Sequence, residues 1–539
     1  MRIGIDLDNT IIDYTEAFLY GARQLKYIPE KWLGQKIELK NFVQSHSDGE
    51  LKWQKLQGKV YGQWIHHAKL YSGVFRFLWR CRQRDWETII VSHKTEFGHF
   101  DRDKISLRDS AKEFLNSGLT LDSDGEGLLS ELRFESTREQ KIQTIAKLQC
   151  DVFIDDLPEV LGNNVFPLES RRILFDPVNQ YKTTALERVL SWDDAAEVLM
   201  GEWSELELNA LAESCGLSAV REIKTVFGGG NSRVFKGSAD TENEFALKIY
   251  PLDSSHDRLH SEFDGLKIIF SDDTLSIPKP IGANRGLEAA TFRWVEGEPI
   301  SNPSLEDIDQ AVVFLSSLHQ CRNQVEFENF PCASAACLTG RQIEEQLNSR
   351  LERLLAEDNE MLENFLSKEF ESFVNKMLER AMVLWPNQGF DLVINREQQI
   401  LSPSDFGFHN ALKKMNGTVV FLDFEYFGWD DPVKLICDFA FHPGMELNLA
   451  KRKHWFEKTL KLYGDSLLSR LSASWPLYGL CWVLILLNEF RSDIWERRRT
   501  ADPAVKDSQV KFQFQQLKRS KQLLKFIDHS VKTNTFEFL

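Results

Sequence analysis

Ser404-Asp405-Phe406-Gly407-Phe408-His409-Asn410 is a short polar loop that leads into the apolar, strand-like segment Val419-Val420-Phe421-Leu422-Asp423. The loop contains an aspartate with an asparagine five residues later, and the segment ends in a second aspartate. Phosphoryl transfer needs such a set, because one aspartate orients an acceptor hydroxyl while an asparagine and an aspartate hold Mg²⁺ across the phosphates. The pattern therefore predicts Asp405 as the catalytic residue and Asn410 and Asp423 as metal ligands.

Elements upstream of this loop fit the same chemistry. A glycine turn, Phe227-Gly-Gly-Gly-Asn-Ser232, joins two strand-like segments, and glycines let backbone N–H groups approach phosphates closely. The next strand presents a lysine and the helix after it a glutamate, the ion pair that positions ATP phosphates in kinases. We therefore expect ATP to bind Gly228, Gly229, Gly230, Ser232, Lys248 and Glu262.

Over roughly residues 220–500, this set of motifs resembles the aminoglycoside phosphotransferase and choline kinase-like family. The resemblance implies an α+β, protein-kinase-like fold with two lobes that uses ATP and Mg²⁺. The stretch Phe292-Arg-Trp-Val-Glu-Gly resembles the hinge of the family, so Trp294 and Val295 are expected to bind adenine through their backbone. Asp431 and Asp438 match structural acids that follow the metal-binding aspartate.

The catalytic loop departs from the family pattern at one position. The family usually has a histidine two residues before the catalytic aspartate, and this chain has Pro403 there. That histidine braces the loop by hydrogen bonding and does not perform the chemistry, so the base and the metal ligands are retained. We interpret His409 as a loop residue, with a substitute brace as the alternative.

The N-terminal part contains a second set of acidic residues. Ile3-Gly-Ile-Asp6-Leu-Asp8 is a short apolar strand that ends in two carboxylates on the same face. Two such carboxylates repel each other, and a bound Mg²⁺ would relieve the repulsion. Asp6 can then attack a phosphorus atom and form an aspartyl-phosphate, while Asp8 protonates the leaving group and later activates water.

The remaining parts of such a site follow in order along the chain. Ser92 ends a second buried strand and can donate a hydroxyl to the phosphate, and Lys141 begins a helix and can balance charge, with Lys147 as the alternative. A third strand ends in two further acids. The predicted catalytic residues are Asp6, Asp8, Ser92 and Lys141, and the predicted metal ligands are Asp6, Asp8, Asp155 and Asp156.

The four motifs IDLDNT, IIVSHK, Lys141 and FIDD resemble those of the haloacid dehalogenase (HAD) superfamily over roughly residues 1–195. The resemblance implies an α/β Rossmann-like domain with Mg²⁺, a nucleophilic Asp6, an acid/base Asp8 and a turn supported by Thr10. We therefore expect a HAD-like phosphatase domain at residues 1–200 with a small helical cap at about 14–80, a helical linker at 201–219, and a kinase-like domain at 220–539 with lobes 220–298 and 299–539.

Composition narrows the remaining classes of protein. The net charge of −16 argues against nucleic-acid binding, which needs a basic face. The eight cysteines form no C-x-x-C pair, so we expect reduced thiols, as in a cytoplasmic protein. The strongest apolar run, Trp475–Leu487, is too short to span a bilayer and predicts a buried helix, so no membrane partner is expected.

Together these patterns predict a bifunctional small-molecule enzyme. One half would phosphorylate a hydroxyl on a sugar or amino alcohol with ATP, and the other would hydrolyse a phosphate monoester. Two alternatives stay open: a phosphatase with a non-catalytic, nucleotide-binding kinase-like module, and an aminoglycoside-resistance kinase. The sequence names neither the substrates nor the oligomeric state.

Overall fold

The chain divides into two compact units. The computed structural model describes residues 1–32, 34–100, 103–119, 127–226, 232–252, 256–270, 275–445, 447–495 and 509–533. The first unit comprises Met1–Asn243, Leu247–Ser254 and Ala283–Ala289. The second comprises Glu244–Ala246, Ser255–Gly282 and Ala290–Leu539.

A six-stranded parallel sheet forms the core of the first unit. Its central strands are apolar and buried, as expected for strands covered on both faces. Every neighbouring pair is parallel, so the three strands predicted before Asp6, Ser92 and Asp155 are confirmed as members of one sheet. In sheet order the strands are Glu131–Glu135, Glu87–His93, Arg2–Ile5, Val152–Asp155, Arg171–Phe175 and Glu187–Val189.

Helices connect these strands, since parallel neighbours require crossover connections. Three of the helices lie between the two strands of a short antiparallel pair, Ile12–Asp13 and Lys69–Leu70. The helices of this unit are Thr15–Gln24, Lys36–Gln44, Gly49–Val60, Val74–Gln83, Leu107–Gly118, Arg138–Leu148, Pro158–Leu161, Trp192–Met200 and Glu205–Ser214.

The segment expected to be a helical linker, residues 201–219, contains the helix Glu205–Ser214. This helix belongs to the first unit. Its Glu207 is fully buried and accepts hydrogen bonds from two arginines. Arg80 lies on the helix Val74–Gln83, and Arg84 is the residue that follows this helix. The division between the units therefore falls beyond the segment in which the sequence places the domain boundary.

A second sheet has five strands. The hairpin predicted around the glycine turn is present, because Val220–Val226 and Arg233–Ala239 pair antiparallel with Val234 opposite Val226. The turn itself, with Gly228, Gly229 and Gly230, lies outside the described residues. The sheet order is Pro280–Asn284, Ala289–Arg293, Phe245–Ile249, Arg233–Ala239 and Val220–Val226.

Helices dominate the second unit. Two small antiparallel sheets accompany them: Glu298–Pro299 with Ala411–Lys413 and Val419–Phe421, and Ile400–Ser402 with Gly428–Asp430. The helices are Gly265–Ile269, preceded by the π-helical turn His260–Asp264, and Leu305–Cys321, Gly340–Leu355, Glu360–Phe365, Glu371–Leu384, Pro432–Phe441, Leu449–Tyr463, Leu468–Leu486 and Gln509–Lys532.

One helical stretch of the described chain, Asp465–Phe490, is long and apolar enough to cross a membrane by length and composition, but 83% of its most apolar window is buried inside the protein. The predicted buried helix at Trp475–Leu487 is thus largely confirmed as part of a core helix, Leu468–Leu486. All eight cysteines are free, and Cys332 is the exposed one among them.

Candidate active sites

A buried lysine joins two acids at the carboxyl end of the parallel sheet. Lys141 lies in the first turn of the helix Arg138–Leu148, and its Nζ donates to Asp6 Oδ1 and to Asp155 Oδ2, each at 2.6 Å. All three side chains are buried. Lys147 is exposed on the same helix, so the structure brings Lys141 and not Lys147 to the carboxylates.

Around Lys141, the carboxylates outnumber the positive charges. Burial raises the pKa of Asp6 to about 7; Lys141 opposes the rise, and Asp155 and Asp8 add to it. Burial and the carboxylates of Asp6 and Asp155 also raise the pKa of Asp156 well above its usual range. One oxygen each from Asp6, Asp155 and Asp156 lies within 4.8 Å of the others. Three converging hard oxygen ligands fit Mg²⁺, whose charge would remove the repulsion.

Asp8 lies outside this group of three. Lys94 Nζ donates to both of its carboxylate oxygens at 2.9 Å, and the Tyr14 hydroxyl donates to Oδ1 at 2.7 Å. The carboxylate predicted as a fourth metal ligand is therefore engaged by other side chains. Lys94 is itself buried, with its Nζ 4.7 Å from the centre of the Tyr61 ring. Lys94, the last residue of the motif IIVSHK, is therefore directed at Asp8.

Two hydroxyl groups near the acids have no hydrogen-bond partner in the described part of the chain. They are Ser92 Oγ, at the end of the strand Glu87–His93, and Thr10 Oγ1, in the turn after Asp8. Both atoms are buried, and a buried hydroxyl without a partner costs about 1–3 kcal/mol. Ser92 thus has a free donor at the strand end where the sequence expects a phosphate group to lie.

In the second unit, the loop after the strand Ile400–Ser402 carries Asp405. His409 Nε2 lies 3.0 Å from Asp405 Oδ1, and Asn410 Nδ2 donates to the Asp405 carbonyl oxygen at 3.0 Å and to Oδ2 at 3.3 Å. Burial raises the pKa of Asp405, but the hydrogen bonds from His409 and Asn410 and the charges of His409 and His442 together outweigh it and leave the pKa below its usual range. The carboxylate is thus held by two neighbours in the form that can accept a proton.

The contact between His409 and Asp405 differs from our interpretation of His409 as a plain loop residue. The His409 ring stacks on the ring of His442, with centroids 3.9 Å apart and planes 8° from parallel. Burial and the nearby His409 lower the pKa of His442 to about 4. Pro403 accepts the N–H of Asp405 through its carbonyl at 3.0 Å. His409 therefore braces the loop, which was the alternative interpretation from the sequence.

The predicted metal ligands flank this loop. The carbonyl oxygen of Asn410 accepts the N–H of Leu422 at 2.8 Å, which places the loop beside the end of the strand Val419–Phe421. The side-chain nitrogen of Asn410 is directed at Asp405, which leaves its amide oxygen for a cation. Asp423 follows the strand with a positive φ of 63°, and Phe424 N–H donates to Glu262 Oε1 at 3.1 Å.

The other predicted nucleotide-binding residues within the described chain are buried or half-buried. Lys248 and Ser232 belong to the first unit, and both are buried. Glu262 is buried in the π-helical turn of the second unit. Trp294 and Val295 follow the strand Ala289–Arg293 and are half-buried, and Trp294 N–H donates to the Glu244 carbonyl at 3.2 Å.

The acids after the loop are structural. Asp431 caps the helix Pro432–Phe441 and makes two hydrogen bonds with Arg470, at 2.7 and 3.0 Å, with both side chains buried. Asp438 accepts from Lys434 Nζ at 2.6 Å and from Trp482 Nε1 at 2.9 Å. These pairs hold the helix beneath the Asp405 loop.

A cavity of about 180 Å³ opens beside Asp405 within the second unit. Polar and aromatic side chains line it, among them Arg350, Asp438, His442, Tyr478 and Trp482. A small hydroxylated molecule in this cavity would meet the Asp405 carboxylate. The arrangement therefore places a carboxylate at the wall of a cavity.

Comparison with known families agrees with this geometry. Residues 223–472 match the model of the phosphotransferase enzyme family. This part of the chain is a kinase-like phosphotransferase domain. The α+β fold expected for the C-terminal half is confirmed, and the match contains the Asp405 loop and the helix that carries Asp438.

Solved structures similar to the chain include an amicoumacin kinase in complex with AMP-PNP and Ca²⁺, at 15% identity and a TM-score of 0.38, which covers 55% of this chain and 93% of that one. A choline kinase from Cryptosporidium parvum has 15% identity and a TM-score of 0.38, with 59% and 93% covered. A spectinomycin phosphotransferase in complex with ADP and spectinomycin has 10% identity and a TM-score of 0.40, with 58% and 94% covered. No curated protein matches the chain.

Proposed function

We propose that this chain carries two separate phosphoryl-transfer activities. The kinase-like domain transfers the γ-phosphoryl group of ATP to a hydroxyl on a sugar or amino alcohol, and the N-terminal part hydrolyses a phosphate monoester. The first activity is supported by one observation above all: Asp405, in a domain of the phosphotransferase family, is held by His409 and Asn410 at the wall of a cavity.

In the kinase reaction, the acceptor hydroxyl oxygen attacks the γ-phosphorus of ATP. The bond from that phosphorus to the β,γ-bridging oxygen breaks, ADP leaves, and the hydroxyl proton passes to the Asp405 carboxylate. Asn410 and Asp423 would hold Mg²⁺, which neutralises charge on the phosphates. Lys248 and Glu262 keep the role that the sequence assigns them, positioning ATP.

The kinase activity is tested by ADP release from the full chain with Mg²⁺, ATP and panels of sugars, amino alcohols and nucleosides. Asp405→Asn should silence turnover. Calorimetric binding of Mg·ATP without any turnover, together with a phosphatase activity that changes with ATP, would instead support the regulatory module. Protection of a sensitive host against aminoglycosides would support the resistance kinase.

The second activity is supported by the cluster in which Lys141 bridges Asp6 and Asp155. In the first step, Asp6 attacks the phosphorus and the ester oxygen leaves with a proton from Asp8. In the second step, Asp8 removes a proton from water, which cleaves the aspartyl-phosphate and releases phosphate. Asp6, Asp155 and Asp156 would hold Mg²⁺, which offsets the charge of the phosphate.

Single-turnover acid quench with a ³²P-labelled aryl phosphate tests this sequence of steps. An aryl leaving group departs without a proton, so Asp8→Asn should form the aspartyl-phosphate and then accumulate it. Label should appear on the peptide that contains Asp6, and Asp6→Asn should abolish it. Hydrolysis that persists in Asp6→Asn would contradict the proposed phosphatase.

A further inference from the structure

Within the described residues, the charged side chains around the cavity beside Asp405 are not all paired. Asp405 is held by His409 and Asn410, while Asp438 is paired with Lys434. Arg350, on the helix Gly340–Leu355, lines the same cavity. Its Nε is buried and has no hydrogen-bond partner in the described part of the chain, which is unusual for a guanidinium with five donors.

Arg350 also borders a neighbouring cavity of about 370 Å³, which shares Ala335 and Gln346 with the first. The second cavity is lined by another cation, Arg353, as well as by the exposed Glu345. Burial and the positive charges of Arg491 and Arg350 lower the pKa of Arg353. Positive charge therefore gathers on the side of the acceptor cavity where Arg350 lies.

We propose that the acceptor carries an oxyanion, either a phosphate or a carboxylate, and that Arg350 binds this group while Asp405 receives the hydroxyl to be phosphorylated. This inference rests on the proposed kinase function and narrows its substrates to hydroxylated compounds such as sugar phosphates or sugar acids. A planar guanidinium binds a carboxylate or phosphate through two parallel hydrogen bonds. An anion in the cavity would thus balance the charge of Arg350.

The experiment compares acceptors that differ in one group. Glucose is set against glucose 6-phosphate and gluconate, and glycerol against glycerol phosphate and glycerate, with choline as a cation. The full chain carries Asp6→Asn, so that the proposed phosphatase does not consume the phosphate esters. We expect the anionic member of at least one pair to have a kcat/KM at least about 10-fold higher, the range of a charged hydrogen bond. The preferred member then identifies phosphate or carboxylate.

Arg350→Gln should raise the KM for the anionic acceptor about 10- to 100-fold and leave the KM for its neutral counterpart within a few-fold. Arg350→Lys should restore part of the lost affinity for the anionic acceptor, since lysine keeps the positive charge but lacks the two parallel N–H donors of the guanidinium. The matched control is Arg341→Gln on the same helix, whose side chain pairs with Glu344 and Asp391 away from the cavity lining. A neutral or cationic acceptor that is turned over best would overturn the proposal.

A binding measurement separates this inference from the kinase function. Glucose 6-phosphate, glycerol phosphate and gluconate are titrated by calorimetry into the same protein with Mg·ADP. Binding that disappears in Arg350→Gln, without turnover in any assay, would defeat the kinase proposal and keep the anion site. Failure of all three to bind, or binding equal in both proteins, would overturn the anion site.

Discussion

Glu207→Gln is expected to destabilise the first unit, although residue 207 lies in the segment where the sequence suggests only a linker. Glu207 is fully buried and accepts hydrogen bonds from Arg80 and Arg84 at 2.8–2.9 Å. It also accepts a hydrogen bond from the Ser204 N–H at 2.7 Å. Arg80 is also buried, and its guanidinium lies 4.4 Å from the centre of the Trp203 ring. The amide variant keeps the shape and removes the charge that neutralises Arg80.

The size of the effect follows from the pKa of Glu207. Burial raises this pKa, but the hydrogen bonds from Arg84, Arg80 and Ser204 and the charge of Arg80 together outweigh burial and bring it from 4.5 down to about 2. A change of this size corresponds to about 3 kcal/mol of extra stability for the charged form. Removal of one partner from a buried ion pair typically costs about 3–5 kcal/mol, which agrees.

The pH dependence has a definite sign. Because the folded-state pKa lies below the unfolded value of 4.5, the stabilisation is fully present above pH 4.5 and is lost as pH falls towards 2. The difference between wild type and Glu207→Gln should therefore be about 3 kcal/mol at pH 7 and should shrink steadily between pH 4.5 and 2.

The assay is urea unfolding followed by tryptophan fluorescence, since Trp203 stacks on Arg80 and reports this region. The first transition of the full chain is compared for wild type, Glu207→Gln and the control Glu213→Gln, an exposed position on the same helix. The control should match wild type. A loss below about 1 kcal/mol in Glu207→Gln, or one that does not vary with pH, would refute a desolvated ion pair, because exposed pairs contribute at most this much.

Three further variants test the two sites and the packing beneath one of them. Lys141→Met should lower hydrolysis of p-nitrophenyl phosphate about 100-fold or more, because the buried acids lose the cation that joins them, and Lys147→Met should not. His409→Asn should lower the kcat of ADP release about 10-fold with little change in the KM for ATP, because the loop aspartate loses an orienting hydrogen bond. Arg470→Met should destabilise the second unit by about 3–5 kcal/mol, measured by urea unfolding, because it leaves Asp431 buried without its partner.

Each of these variants has an outcome that contradicts its reasoning. Equal loss of hydrolysis in Lys141→Met and Lys147→Met would indicate a general loss of structure. An unchanged kcat in His409→Asn would show that the loop needs no brace. Normal stability in Arg470→Met would mean that water reaches Asp431.

Much of the parallel sheet could be predicted because its central strands are continuous apolar runs that end in acids. The strand Arg2–Ile5 and the strand Val152–Asp155 have this pattern, and parallel order then places their carboxyl ends together. The edge strands Glu131–Glu135 and Glu187–Val189 escaped prediction, because they are short, largely half-buried and rich in charge. Their positions depend on pairing with a neighbour and not on their own composition.

In the candidate sites, the side-chain contacts between distant segments were harder to predict from the sequence than the motifs were. Arg350 lies in none of the motifs, and Lys94 ends the motif IIVSHK without a role that the sequence assigns. Each gains a role only when folding brings Lys94 to Asp8 and Arg350 to the acceptor cavity. His409 was within reach of sequence reasoning, because it follows Asp405 by four residues in a tight turn. The family pattern places the bracing histidine before the aspartate, where this chain has Pro403, so the pattern alone favours a plain loop role for His409.

The extent of the first unit could not be read from the sequence either. Arg76 is buried, and it donates to the carbonyl oxygens of Tyr250 at 2.8 Å and Leu287 at 3.0 Å. These partners lie more than 170 residues away along the chain, and hydrogen bonds to backbone carbonyls leave no trace in residue type. The proposed domain boundary at residues 201–219 thus rests on a change of pattern, whereas the first unit also includes Leu247–Ser254 and Ala283–Ala289.

The existence of two independent phosphoryl-transfer sites is tested most directly by ³¹P NMR of one reaction mixture. The full chain is incubated with Mg²⁺, ATP, acceptor panels and an aryl phosphate, and the γ-phosphoryl transfer and the ester hydrolysis are followed together in wild type, Asp6→Asn and Asp405→Asn. We predict that wild type performs both reactions, that Asp6→Asn loses hydrolysis alone, and that Asp405→Asn loses transfer alone. Loss of both reactions in either variant, or absence of either reaction in wild type across the panels, would contradict two independent sites.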